Sequence, residues 1–174
     1  LRSALFRWLW QRGVSTLWLP TYCPPILESN RLQCQFTRKF YSVGNRLEPT
    51  PDFLAEVRPG EAVLTISYLG KPLPDAFCAA LAARTDILWV EDRAQCLVPG
   101  RDSAAHAAIY SPRKLFGVPD GGLLVGKGAR DLESWCLAPA LSTLSERYSL
   151  LAERFERPDL MDNTHNLRWS KHDM

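Results

Sequence analysis

The sequence predicts an α/β fold built on a largely parallel sheet, and three observations lead there. Apolar strand-like runs alternate with helical segments from Ser3 to Arg84. Ile87–Val90 is short and apolar throughout, the pattern of a strand covered on both faces. The 174 residues, 46% of them apolar and 23% charged, suit one ordinary globular domain with a core of its own.

Each element has a local reason. Leu1–Trp10 is apolar, but Arg2, Arg7 and Arg12 break it at helical intervals and no small-residue cleavage site follows. It therefore reads as a buried helix and not as a secretory leader. That helix spans Ser3–Gln11 and is ended by Gly13. Trp8 and Trp10, two apart, cannot both face inward on it. Thr16–Leu19 is a short strand stopped by Pro20, and Pro24 and Pro25 suit the first turn of a second helix through Ile26–Leu32. Phe36–Val43 is the next strand, Thr50-Pro51-Asp52 opens a helix reaching Val57, and Ala62–Leu69 is a strongly apolar strand closed by Gly70. Pro74–Arg84 is an amphipathic helix; Ile87–Val90, Ala107–Tyr110 and Leu123–Val125 are the remaining strands. Trp18 and Trp89 fall in strands and are expected in the core. Asp131–Arg157 carries one or two long helices with a break at Pro139, and Pro158–Met174 is a polar tail with little periodicity.

Composition excludes several classes. A net charge of +2 argues against nucleic acid or an anionic membrane as the main partner. No apolar run reaches the roughly 18 residues of a membrane helix. The five cysteines are odd in number and share no CxxC spacing, which argues against structural zinc and fits a reducing cytoplasm. No G-x-G-x-x-G or G-x-x-x-x-G-K-[ST] follows any strand, so a nucleotide-binding α/β domain of those kinds is disfavoured.

In a parallel sheet, ligands sit beyond the carboxyl ends of the strands, so chemistry belongs in the loops beginning at Pro20, Gly70, Glu91 and Ser111. Leu88-Trp89-Val90-Glu91-Asp92-Arg93-Ala94-Gln95 places a carboxylate directly after a buried strand and an amide three residues on. Tyr110-Ser111-Pro112-Arg113-Lys114 places a hydroxyl after a strand and an amine three residues later. Pro119-Asp120-Gly121-Gly122 leads into the last strand. Singly, each has an ordinary explanation: a solvated lysine, a capping aspartate, turn chemistry at Ser111, a tight glycine turn. His106, His165 and His172 are scattered and receive no role.

Jointly, the order strand–EDxAQ, strand–SxxK, GG–strand is similar to the DegT/DnrJ/EryC1/StrS family of sugar aminotransferases, which depend on pyridoxal phosphate (PLP). Ser67-Tyr68-Leu69-Gly70-Lys71-Pro72 resembles that family's strand ending in glycine, Pro20-Thr21-Tyr22-Cys23 its proline-headed loop, and Arg2-Ser3-Ala4-Leu5 its phosphate-cradling helix start. The resemblance covers Arg2 to Gly126. It implies a three-layer α/β/α large domain of fold type I with a mostly parallel mixed sheet.

The resemblance also implies roles. Lys114 would hold the cofactor through its amine; burial would lower its pKa and let it serve as nucleophile and proton shuttle. Asp92 would face the ring nitrogen, since an opposite charge keeps that nitrogen protonated. Gln95 would lie near the ring's phenolic oxygen, and Tyr22 would stack on the ring. Ser111 and the backbone N–H groups of Ser3 and Ala4 would hold the phosphate, a helix start being a ready anion site. No metal is implied. The implied partners are an amino-acid donor, glutamate, a nucleotide-linked keto-sugar acceptor, and a second copy of the chain in a homodimer.

The sequence departs from the family in places. Arg93 stands where a small residue is usual, and Ser67 where a histidine is common. Residues 1–157 would be the cofactor-binding large domain, truncated at both ends, and 158–174 a tail in place of the small domain; opening at Leu1 inside a helical pattern also suggests a fragment. A dehydratase variant would replace the lysine by histidine, which Lys114 argues against. A catalytically incomplete member acting as a binding or regulatory module is the alternative.

Overall fold

The computed structural model describes residues 2–24, 36–96, 104–116 and 122–126. The stretches read as helices over 26–32 and 131–157, and the tail from 158, lie outside the described residues.

Helix α1 (Arg2–Gln11) places Leu5, Phe6, Trp8 and Leu9 inward, the i, i+3, i+4 stripe of a helix lying on a sheet. Trp8 is buried and Trp10 is 60% exposed, as their spacing requires. The helix ends at Gly13, whose φ of 70° is a left-handed conformation that glycine adopts without a Cβ penalty.

Six strands follow: β1 (Thr16–Pro20), β2 (Thr37–Tyr41), β3 (Ala62–Ile66), β4 (Leu88–Asp92), β5 (Ala107–Tyr110) and β6 (Leu123–Gly126). They form one sheet in the order β2-β1-β3-β4-β5-β6. All neighbours run parallel except β5 and β6, which pair antiparallel with Tyr110 opposite Leu123. Helix α2 (Asp75–Ala83) connects β3 to β4, with Asp75 in its first turn, where a carboxylate favours the helix dipole.

Side chains alternate across the sheet and feed two cores. One holds Leu5, Phe6, Trp8 and Leu9 of α1 against Leu17, Leu64, Val90 and Ile109. The other holds Phe77 and Leu81 of α2 with Trp18, Val63, Trp89 and Phe53. The result is three layers, with α1 and α2 on opposite faces of a sheet whose central strand β3 is buried throughout. A fully buried leucine or phenylalanine contributes about 1.5–3 kcal/mol, so these two clusters dominate the favourable side of folding.

Some boundaries differ from the sequence reading. β1 takes in Pro20, which pairs with Tyr41. The helix expected over Thr50–Val57 is a short 3-10 segment, Pro51–Ala55. The strand expected to reach Leu69 ends at Ile66; Tyr68–Gly70 is a 3-10 turn in which Leu69 (φ 56°) and Gly70 (φ 75°) are both left-handed. Glu91 and Asp92 belong to β4 and not to a loop, because Asp92 is in register with both Ile66 and Ile109. Among the described residues no helix is long and apolar enough to cross a membrane.

Candidate functional site

The parallel strands β1, β3, β4 and β5 release their loops at one edge of the sheet, and a pocket of about 300 Å³ opens there. Its walls come from Tyr22, Cys23 and Pro24 after β1, from Ile66, Ser67 and Tyr68 at the end of β3, from Asp92, Ala94 and Gln95 at the end of β4, and from Lys114 after β5. That volume lies at the small end of the range for ligand sites.

Asp92 sits on the α1 side of the sheet, since it follows Val90 by two residues. It is 9% exposed. One carboxylate oxygen, Oδ1, accepts the backbone N–H of Ala94 at 2.8 Å. Burial raises the Asp92 pKa; the Ala94 amide and the positive charge of Lys114 pull it back only in part.

Lys114 ends a single 3-10 turn, Pro112–Lys114, fixed by its own N–H donating to the Ser111 carbonyl at 3.0 Å. The side chain lines the pocket but is exposed. The sequence reading had it buried. A lysine at the tip of one short turn projects toward water, because the residues that bury a strand end lie behind it.

Gln95 is exposed at the rim, and its Oε1 accepts the N–H of Leu69 at 2.6 Å. An N–H can only donate, so the amide oxygen must face Leu69 and the amide NH2 points elsewhere. Tyr22 is 66% exposed, and its ring lies 5.6 Å from that of Tyr68 at 34°. The Tyr68 hydroxyl donates to the Tyr22 carbonyl. Burial, then the neighbouring Cys23, Tyr22 and Asp92, push the Tyr68 pKa well above the ordinary phenol range.

Two other residues singled out in the sequence, Ser111 and Ala4, are not among the walls. Ser111 is 5% exposed and lies behind the turn that carries Lys114. The backbones of Ser3 and Ala4 lie in the first turn of α1. Conversely, Cys23, Tyr68 and Ser67 line the pocket without having been given roles. Their signal was positional: each follows a strand within a few residues.

On the opposite face of β4, Glu91 is 4% exposed and pairs with Arg93, Nε to Oε1 at 2.9 Å. The Ser67 hydroxyl donates to the same oxygen at 3.0 Å.

The donor set fits PLP in two respects. A buried carboxylate and an amine meet in one cavity, and the walls are otherwise largely apolar or aromatic. Asp92 and Lys114 are the residues that would hold the ring nitrogen and the aldehyde carbon.

No protein-family model and no curated protein matches the sequence. Solved structures do match the fold. S. venezuelae DesV is 19% identical with a TM-score of 0.56, over 75% of this chain and 39% of that one. A DegT DnrJ EryC1 StrS aminotransferase from Brucella abortus is 18% identical with a TM-score of 0.53, over 71% of this chain and 39% of that one. A Burkholderia pseudomallei sphingosine-1-phosphate lyase is 13% identical with a TM-score of 0.52, over 71% of this chain and 34% of that one. The chain thus spans less than two-fifths of the length of each of these proteins. The six-stranded, mostly parallel sheet between helices is the fold of the type I aminotransferases. At these identities the likeness is one of fold, and a lyase shares it.

Proposed function

We propose that this chain is the cofactor-binding part of a PLP-dependent aminotransferase that moves an amino group from an amino acid, glutamate, to a nucleotide-linked keto-sugar. The single observation that carries the reading is that Asp92 and Lys114 line one pocket at the carboxyl ends of neighbouring parallel strands.

PLP, when bound, supplies an electron sink for the substrate's α-carbon. The chain's own residues supply the rest. Lys114 would hold the cofactor through its Nζ and would be the group placed to carry a proton at that end of the pocket. Asp92, with one oxygen fixed by the Ala94 N–H, would face the ring nitrogen and favour its protonated form through its negative charge. The Gln95 NH2 is turned away from Leu69 and would be free to donate to the phenolic oxygen. Tyr22 would stack on the ring; Ser111, which is buried behind the turn, and the helix start at Ser3 and Ala4 are carried as phosphate holders on the family resemblance alone. The enzyme works as a cytoplasmic homodimer.

The test is spectroscopic. Adding PLP to the chain should produce a visible absorbance band, and Lys114→Ala should abolish it with unchanged circular dichroism. A second reading, a non-catalytic binding or regulatory module, draws on the exposure of Lys114. A folded chain that gives no band with PLP would support that reading instead.

A further inference from the structure

We infer that Arg93 is a positioning residue: together with Glu91 it clamps the end of β4 from the face opposite the pocket and so holds Asp92 turned into it. The inference rests on the PLP reading for its importance, but not for its test.

Residues alternate along a strand, so Glu91 and Asp92 leave β4 on opposite faces. Glu91 follows Trp89 onto the α2 side, while Asp92 follows Val90 onto the α1 side. Arg93, one residue past the strand, continues the ladder through its N–H to the Ile109 carbonyl at 2.8 Å. Its side chain returns to Glu91, with Nε 2.9 Å from Oε1. Its Nη1 reaches the Tyr110 hydroxyl at 3.5 Å. Ser67 adds its hydroxyl to the same Glu91 oxygen at 3.0 Å and its N–H to the Asp92 carbonyl at 2.9 Å. One cluster therefore ties together the ends of β3, β4 and β5, the three strand ends nearest the acid and the amine.

Charge placement supports the same role. A buried ion pair is a poor source of net stability, because desolvating both ions offsets their attraction. What it fixes well is geometry, since either partner alone is strongly disfavoured there. The Arg93 guanidinium is engaged by Glu91 and Tyr110, with Cys78, Cys96 and Asp75 also facing this region. The cation that acts on Asp92 is Lys114, and Tyr68 and Cys96 face it as well. The pair thus steadies the backbone of Asp92 without directing its own positive charge at the carboxylate.

The experiment follows the Asp92 carboxyl carbon by NMR across pH in the full chain, with PLP titrated separately. In Arg93→Ala the strand end loosens, water reaches Asp92, and its titration midpoint moves down toward that of an ordinary aspartate. PLP affinity falls about tenfold, the effect that outer partners of a ligand commonly carry. Arg93→Lys restores most of both. If Arg93→Ala does not fold, Arg93→Gln takes its place, since it removes the ion pair while keeping a side chain of similar length, and the same fall in midpoint is expected. An unmoved Asp92 midpoint in a folded variant overturns the inference. A wild-type chain that takes no PLP overturns the cofactor reading alone, since the NMR titration still decides the clamp.

Discussion

Lys114 is the cation that pulls on the buried carboxylate of Asp92, although the two side chains arrive from different parts of the chain, the end of β4 and the turn after β5. Parallel pairing brings the two strand ends together. β4 and β5 run side by side with Asp92 opposite Ile109, so what leaves one strand emerges beside what leaves the other. The pull is partial, however, and burial wins.

That balance gives the first prediction. The folded-state pKa of Asp92 is raised above its unfolded value, so the folded chain binds this proton more readily than the unfolded chain does. Its contribution to stability therefore declines as pH rises through that window, and at neutral pH the buried charge is a cost. Asp92→Asn keeps an acceptor for the Ala94 N–H and removes the charge. Thermal unfolding at neutral pH should shift up, on the scale of about 1 kcal/mol, while PLP binding weakens. A variant that melts lower than wild type would show that burial does not dominate at this site.

The turn after β3 gives a pair of predictions with opposite signs. A Cβ on Gly70 would stand 2.9 Å from the Gln95 carbonyl oxygen, and the residue's φ is 75°. Gly70→Ala should cost about 1–3 kcal/mol and spread the walls of the pocket. Leu69 is also left-handed, at φ 56°, yet its side chain is 81% exposed and packs little. Leu69→Gly should be slightly stabilising: relief of roughly 1–2 kcal/mol of strain exceeds the roughly 0.5–1 kcal/mol of added chain entropy. Denaturant midpoints of the two variants decide the matter, and shifts of like sign would refute the strain assignment.

Glu61 links stability to acid. Burial raises its pKa, but hydrogen bonds from Trp18 Nε1 (2.6 Å), the Arg58 N–H (3.1 Å) and Lys39 Nζ (3.3 Å) outweigh that, and the net shift is downward. A depressed carboxylate contributes stability above its unfolded pKa and loses it as pH falls through the folded pKa. Glu61→Gln should therefore cost about 1–3 kcal/mol at neutral pH, because an amide cannot accept three donors. The gap from wild type should close as pH drops below the usual glutamate range. Urea titrations at several pH values measure it, and a constant gap would contradict it.

Much of the fold was legible because parallel strands buried on both faces announce themselves as apolar runs. Ala107–Tyr110 has the same bounds in the sequence and in the structure. Errors came where apolarity and backbone conformation disagree. Leu69 reads as strand by composition but sits in a left-handed turn, and Asp92 reads as loop by charge but is hydrogen-bonded in the ladder. At the site, Tyr22, Asp92, Gln95 and Lys114 come together because loops after parallel strands share one edge. The exposure of Lys114 and the seclusion of Ser111 depend on how a single 3-10 turn is rotated, which residue types do not encode. Likewise, the pairing of Glu91 with Arg93 was present only as opposite charges two positions apart, a spacing that becomes a contact only in extended backbone.

The reversal of direction at β6 returns the chain to the strand end from which the Lys114 turn departs. Because Tyr110 and Leu123 are register partners, the chain leaves the sheet and re-enters it at the same corner, and the amine rides on a stretch clasped at both ends. Such a clasp tolerates added length with little thermodynamic penalty. Lys114 follows Tyr110 by four residues, so the register at this corner fixes where the turn that carries the amine begins.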